Sequence, residues 1–270
     1  MYLPKTWKEV TVGKYIELYN LSQEDFDSLA SFYVQILSIL TDEDPIIFEE
    51  MNFDYFEILK NQIKFLERLP TNHPVQSINI EGTELELISF YLITLGEFID
   101  MEAYLSDKIG NLLAMLAIVY RRFSNKNDIF TPPVVENYGS FVKHRQHLFN
   151  NQSMEDVYGI IDKYIAFRKE IFDSYLNLFN VDEPETEEEA EQNRLALIAE
   201  EEDEINLTIT ERHELEKAKE REKNINKWGF AAMALRLADN DLTKLPAILE
   251  MPLILTLNTL AMRKELKIQS

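Results

Sequence analysis

Met101-Glu102-Ala103-Tyr104-Leu105-Ser106-Asp107-Lys108-Ile109-Gly110-Asn111-Leu112-Leu113-Ala114-Met115-Leu116-Ala117-Ile118-Val119-Tyr120-Arg121-Arg122-Phe123 contains the longest uninterrupted apolar run in the chain, Leu112 to Tyr120. A helix that is apolar on more than one face has to be enclosed by other elements. Met101 to Phe123 is therefore expected to be the central core helix of a mainly α protein. The run is far too short to cross a bilayer, so no membrane span is expected.

Upstream, Ser22 with Asp25 reads as a helix cap preceding Phe26, Leu29, Tyr33, Ile36, Leu37 and Leu40, whose three-and-four spacing makes one apolar stripe. A neighbouring helix is expected to start near Asn52 and to run through Phe56, Leu59, Ile63 and Leu66 to a stop before Pro70. Ser77 to Leu87 alternates apolar and polar residues around Gly82, which predicts a small β-hairpin. Downstream, Thr131-Pro132-Pro133 breaks the chain. One long helix is expected after Ser153, burying Val157, Ile160, Ile161, Tyr164, Ile171, Phe172, Tyr175 and Phe179.

Composition changes at Asp182. Between Asp182 and Glu204 twelve acidic residues face one base, Arg194, so about half of the net charge of −21 sits in this segment. Dense like charge opposes compact packing. The segment reads as a solvated hinge with a short helix around Leu195 to Glu200. Thr208 with Glu211 suggests a capping box for a charged, exposed helix from 209 to about 226. Hydrophobicity then returns in three expected helices: Trp228 to Ala238, Leu242 to Glu250, and one with Pro252 in its first turn that ends near Lys267. Leu253, Leu257, Leu260, Ala261 and Met262 are expected to form the inner face of the last. The overall expectation is a multi-helix bundle with a β-hairpin over 1–180, an acidic linker over 181–207 and a smaller C-terminal helical region over 208–270.

At 270 residues and 46% hydrophobic content the chain can bury a genuine core. Its acidity argues against direct nucleic-acid binding, which depends on clustered Lys and Arg. The chain has no cysteine, which removes disulfides, thiol catalysis and thiolate metal sites and suits a reducing compartment. The start, Met1 to Trp7, lacks the layout of a secretion signal. Seven glycines do not assemble a phosphate-cradling loop.

Each catalytic or metal pattern is incomplete. His144 and His147 have a ligand spacing but no third ligand, and Lys143 and Arg145 beside them disfavour a cation. Arg212-His213-Glu214-Leu215-Glu216-Lys217 begins like a zinc-protease helix, with Lys217 where the second histidine belongs. Asp239, Asn240, Asp241 and Glu250 match calcium-loop positions, but Lys244 stands where the sharp turn needs glycine, and Pro246 adds a second misfit. An interhelical turn with capping aspartates is the simpler reading. The expectation is a protein without catalytic residues, cofactor or metal.

Aromatic residues are the stronger signal. Tyr15, Tyr19, Tyr91, Tyr104, Tyr120, Tyr138, Tyr158, Tyr164 and Tyr175 recur beside Phe and Leu, and most are expected in the core. Any left exposed, with Trp7 and Trp228, would be natural anchors for a protein partner.

The opening stretch, Leu3-Pro4-Lys5-Thr6-Trp7-Lys8-Glu9-Val10-Thr11-Val12-Gly13-Lys14-Tyr15-Ile16-Glu17-Leu18, resembles the start of tail assembly chaperone-like proteins of tailed bacteriophages. Three C-terminal stretches resemble them too: Trp228-Gly229-Phe230, Leu235 to Lys244, and Ile248 to Leu253. The resemblance implies a non-enzymatic morphogenesis protein that binds other phage virion or tail proteins in the host cytoplasm during assembly. Alternatives are a virion structural or cargo protein delivered to the host, and an acidic effector that presents the Glu187–Glu191 carboxylates to a basic host protein.

Overall fold

The computed structural model describes residues 1–70, 73–124, 134–136, 145–175, 178 and 229–266. The chain is mainly α with a small antiparallel sheet, as its patterning predicts. By packing it divides into two units, each drawn from two stretches: Met1–Phe90 with Asp107–Ile165, and Tyr91–Ser106 with Ala166–Ser270. Residues 180–208, where the acidic linker and the limits of the two expected helical regions fall, lie outside the described residues.

The first unit opens with four helices: α1 Val12–Leu21, α2 Leu29–Thr41, α3 Pro45–Glu49 and α4 Phe53–Gln62, the last running on as a 3-10 helix Ile63–Glu67. The helix expected after Ser22 instead starts at Ser28, whose side chain accepts from the Ser31 amide, while Ser22 to Asp27 make a turn and irregular chain. Phe26 packs on the core from that segment without being helical. Asn52 caps α4 as predicted, through a 2.9 Å bond from the Asp54 amide. Val10, Val34, Leu37, Leu40, Phe48, Leu59 and Ile63 form a common buried cluster. At the end of α2, Asp42 takes a left-handed conformation (φ 59°) that stops the helix. The Lys14 ammonium reaches across from α1 to bond the freed Leu40 carbonyl at 2.8 Å and the Asp42 carboxylate at 2.7 Å.

The predicted hairpin is present as β1 Ser77–Ile80 and β2 Thr83–Leu87, paired with Ile78 opposite Leu85 and joined through Glu81 and Gly82, both at positive φ. Ile78, Ile80, Leu85 and Leu87 are buried, while Asn79 and Glu84 on the other face are exposed. The chain then contributes α5 Leu95–Tyr104 to the second unit and returns with α6 Leu112–Val119, β3 Tyr120–Arg121, β4 Phe123–Ser124 and, after a gap in the described residues, β5 Val134–Val135.

The single core helix expected over Met101 to Phe123 is thereby corrected. It is broken at Leu105 to Asn111, where the Asp107 carboxylate accepts from the Gly110 amide at 2.9 Å. It also ends early, because Ile118, Val119 and Tyr120 are β-formers beside an unpaired strand edge. Ile88 donates to the Val119 carbonyl at 2.8 Å, and Tyr120 and Arg121 pair with Leu87 and Glu86 as the third strand. The expectation of dense burial holds for α6, where every residue but Leu113 is buried.

The long helix expected after Ser153 is two helices, α7 Met154–Val157 and α8 Ile160–Ser174. Gly159 separates them at φ 84°, a conformation that side chains disfavour. Val157, Ile160, Tyr164 and Ile171 are buried as expected, Ile161, Phe172 and Tyr175 are half-buried, and Phe179 lies outside the described residues. Phe90 and Tyr164 meet within the first unit at 5.5 Å between ring centres.

In the second unit the Thr94 hydroxyl and the buried Glu97 carboxylate make a capping box on α5, with the Thr94 amide donating to Glu97 Oε2 at 2.7 Å. Beyond Trp228, which is not described, α9 spans 229–237, α10 Leu245–Leu249 and α11 Leu253–Glu265. Two backbone bonds of 2.9 Å, Leu95 N–H to the Met251 carbonyl and Leu253 N–H to the Ile93 carbonyl, tie the starts of α5 and α11 together. Phe230 meets Phe98 edge-on at 5.0 Å. On α11, Leu253 and Leu257 are buried, Leu260 and Ala261 are half-buried, and the third buried residue is Thr256. Met262, expected on the inner face, is 52% exposed, because the helix turns that position outward.

Candidate functional site

The most distinctive surface of the first unit is built on α1. Thr11 caps this helix by accepting from the Lys14 amide, and Tyr15 and Tyr19, four residues apart, then share one face. Phe32, Tyr33 and Ile36 from α2 and Ile63 and Leu66 from the 3-10 turn enclose a hollow of about 330 Å³ against them. Trp7 completes the wall, edge-on to Tyr15 at 5.7 Å and to Phe65 at 5.6 Å. The Lys60 ammonium lies 5.2 Å from the centre of the Tyr33 ring and pairs with Glu57 at 2.7 Å.

A second hollow of about 200 Å³ lies beside the first, walled by Ile109, Leu112, Met154, Val157 and the Tyr158–Asp162 segment around the Gly159 break. Tyr15, Tyr19 and Leu69 line both hollows and form the saddle between them. Tyr19 is 38% and Leu69 57% exposed, so the saddle presents apolar surface to solvent.

Burial pushes the Tyr15 phenol above its ordinary pKa, with Tyr158 and Tyr19 nearby adding to the rise. Burial also raises Tyr158, assisted by the Asp162 carboxylate. Both phenols therefore stay protonated at neutral pH and serve as hydrogen-bond donors, while the apolar walls supply contact area. This chemistry suits the capture of apolar side chains with a few polar contacts at the rim.

Of the other tyrosines singled out from sequence, Tyr120 and Tyr164 are buried, Tyr104, Tyr158 and Tyr175 are half-buried, and Tyr91 is 49% exposed in the second unit. Tyr138 and Trp228 lie outside the described residues. His147 is exposed at the start of a 3-10 helix, and His144 and the His213 segment are not described. Among the described residues no group of three or more His, Asp or Glu has a metal-holding arrangement.

The calcium-like stretch is a helix stop. Asn240 N–H bonds the Leu235 carbonyl and Asp239 N–H the Arg236 carbonyl, with Asp239 left-handed, which is a Schellman ending for α9. Asp241 caps the next turn through the Thr243 hydroxyl at 2.6 Å and amide at 2.9 Å, bonds that hold its carboxyl below the usual range. Lys244 and Arg263 pair with Asp239 at 3.4 Å and 3.6 Å, so cationic side chains occupy the carboxylates.

Sequence reasoning missed Leu69 and Phe32 as site residues. The only local signal was the Tyr15–Tyr19 spacing, because the remaining walls come from segments joined by tertiary packing. No family model, curated protein or solved structure matches the chain. Among the described residues no helix is long and apolar enough to cross a membrane.

Proposed function

We propose that this protein acts without catalysis in bacteriophage morphogenesis, holding a segment of another virion or tail protein in the paired hollows, in the manner of a tail assembly chaperone. The observation that carries the binding reading is the saddle of Tyr15, Tyr19 and Leu69, exposed apolar surface shared by two adjoining aromatic-walled hollows. Tyr and Trp contribute large contact area at low conformational cost, which is why they dominate binding hot spots. Two hollows side by side suit successive side chains of one polypeptide better than a single small molecule. The phage setting is supported by the resemblance of the terminal stretches, the first of which supplies Trp7, Tyr15 and the start of α1.

Co-expression of the full chain with each tail and virion protein of the same phage tests this reading. One of them is expected to bind the wild type and to lose at least tenfold in affinity, about 1.4 kcal/mol, to a Tyr19→Asp variant that melts like the wild type. Purified particles then separate the two versions: absence of the protein supports a chaperone, whereas stoichiometric presence supports a structural or cargo component. If it binds no phage protein, or binds Tyr19→Asp equally well, the hollows are not the binding site.

A further inference from the structure

Ile46 and Ile47 on α3 and Phe53, Tyr55 and Ile58 on α4 are exposed, although Phe48 and Leu59 of the same two helices enter the core cluster. Five of the seventeen large apolar side chains exposed among the described residues thus fall between positions 46 and 58, and Phe53 is 72% exposed. Only Glu50, Met51 and Asn52 separate the two helices, which both pack on α2. Exposed apolar side chains concentrated in this way mark an interaction surface. None of the five lines either hollow.

The charge around them is one-sided. From Tyr15 to Leu59 the chain has eleven Asp and Glu and no Lys, Arg or His. The cations at the two ends of that stretch are already engaged, Lys14 with Asp42 and Lys60 with Glu57. Asp44, Glu49, Glu50 and Asp54 are left exposed, with no ion pair to any described residue. Asp44 and Asp54 also serve the starts of α3 and α4, where a carboxylate is favoured. Glu49 and Glu50 sit at the other end of α3, where the helix dipole opposes a carboxylate.

We propose that the α3–α4 face docks a basic, amphipathic segment of a partner protein. The aliphatic or aromatic side chains of that segment cover Phe53, Tyr55 and Ile58, and its Lys or Arg side chains meet Glu49, Glu50 and Asp54. A second copy of the chain pairing through the same face would set these carboxylates against one another, and an anionic lipid surface or a nucleic acid would be repelled in the same way. The net charge of −21 adds a long-range attraction for a basic segment, and the exposed apolar side chains supply the contacts that hold it.

Short random peptides selected on the immobilised full chain provide the test. Those that no longer bind a Phe53→Ser/Ile58→Ser variant are expected to combine Lys or Arg with aliphatic or aromatic residues. They should bind about tenfold more weakly to a Glu49→Gln/Glu50→Gln/Asp54→Asn variant, weaken as salt rises, and bind Tyr19→Asp as well as the wild type. A Glu187→Gln/Glu188→Gln/Glu189→Gln/Glu191→Gln variant, altered in the other acidic run of the chain, should bind them unchanged. Each altered residue of the face is exposed, and circular-dichroism melts matching the wild type will show that both face variants fold. Should the serine variant melt early, the charge variant, which keeps every apolar side chain, decides. An acidic or uncharged consensus, equal binding by the charge variant, or equal weakening by the 187–191 variant overturns the proposal. A dimer in sedimentation that the serine variant dissociates also overturns it, because a second copy then covers the face. Recovery only of peptides that depend on Tyr19 overturns it while leaving the hollows as a binding site.

Discussion

The Trp7 indole N–H donates to the Arg68 carbonyl oxygen at 2.6 Å, joining the segment before α1 to the chain that leaves the 3-10 turn after α4. Both segments line the first hollow, which receives Trp7 from one and Leu66 and Leu69 from the other. The ring of Trp7 also fills the space between Tyr15 and Phe65. One side chain therefore supplies contact surface to the hollow and fixes its shape.

Trp7→Phe keeps an aromatic ring but removes the donor. A net hydrogen bond is worth about 1 kcal/mol, so urea unfolding should show a loss of about that size. Trp7→Ala also forfeits both edge-on ring contacts and should cost about 3 kcal/mol. The two variants separate the bond from the packing. If Trp7→Phe unfolds at the wild-type urea midpoint, the bond to Arg68 contributes nothing to stability.

Gly96, in the first turn of α5, is held by close approach. A Cβ built there would lie 3.1 Å from the Leu249 carbonyl oxygen and 3.4 Å from the Leu249 Cβ. The neighbouring Leu95 N–H is bonded to the Met251 carbonyl, so the backbone on both sides has little room to shift. Alanine normally stabilises a helix relative to glycine by about 1 kcal/mol. Here the crowding should reverse that sign and make Gly96→Ala destabilising by about 1–2 kcal/mol in a thermal or denaturant melt. A gain in stability would show that the contact relaxes freely.

Local signals in the sequence were enough for some elements and not for others. The Ser77–Leu87 hairpin and the Asn52 cap were legible because alternation and capping act within a few residues. Leu112 to Val119 is helical as expected, but the end of the run at Tyr120 was misread, because a fully apolar run has no periodicity to separate a buried helix from a buried strand. Tyr120 is a strand residue because Leu87, far away in sequence, offers it a ladder. The hollow was legible only in part for the same reason: Tyr15 and Tyr19 declare a common face, whereas Phe32 and Leu69 reach it through the packing of α2 on α1 and of α4 on α2.

Glu136 follows β5 and faces two buried arginines. Its carboxylate pairs with Arg145 at 2.5 Å, and its carbonyl oxygen accepts from Arg121 at 3.2 Å. Arg145 also donates to the Tyr120 carbonyl at 3.1 Å, and Arg121 Nε to the Ile118 carbonyl at 2.7 Å. Arg145 is buried and Glu136 half-buried, so removing the carboxylate leaves a buried charge without its counter-charge, at a cost of about 2–3 kcal/mol. Glu136→Ala should therefore destabilise the first unit by about that amount, whereas Glu17→Ala at an exposed position of α1 should stay within about 0.5 kcal/mol. Equal chemical-denaturation midpoints for the two variants would refute a stabilising role for the Glu136–Arg145 pair.

Tyr120 gives the alkaline limb of stability a specific origin. Its hydroxyl donates to the Val75 carbonyl at 2.7 Å from a buried ring, and burial, with Asp156 adding to it, raises the phenol well above its ordinary pKa. A group whose folded pKa is raised contributes stability that is fully present below its unfolded pKa, about 10 for tyrosine, and is lost as pH rises through the folded value. At neutral pH, Tyr120→Phe should be less stable by about 1 kcal/mol, since the Val75 carbonyl loses its donor. Above about pH 10 the wild type alone must give up the stabilisation linked to this phenol. The gap between the two proteins should therefore narrow steadily in denaturant melts taken from about pH 8 to about pH 11. A gap that stays constant over that range would mean that the folded Tyr120 phenol titrates like a free one and that its burial carries no linked stability.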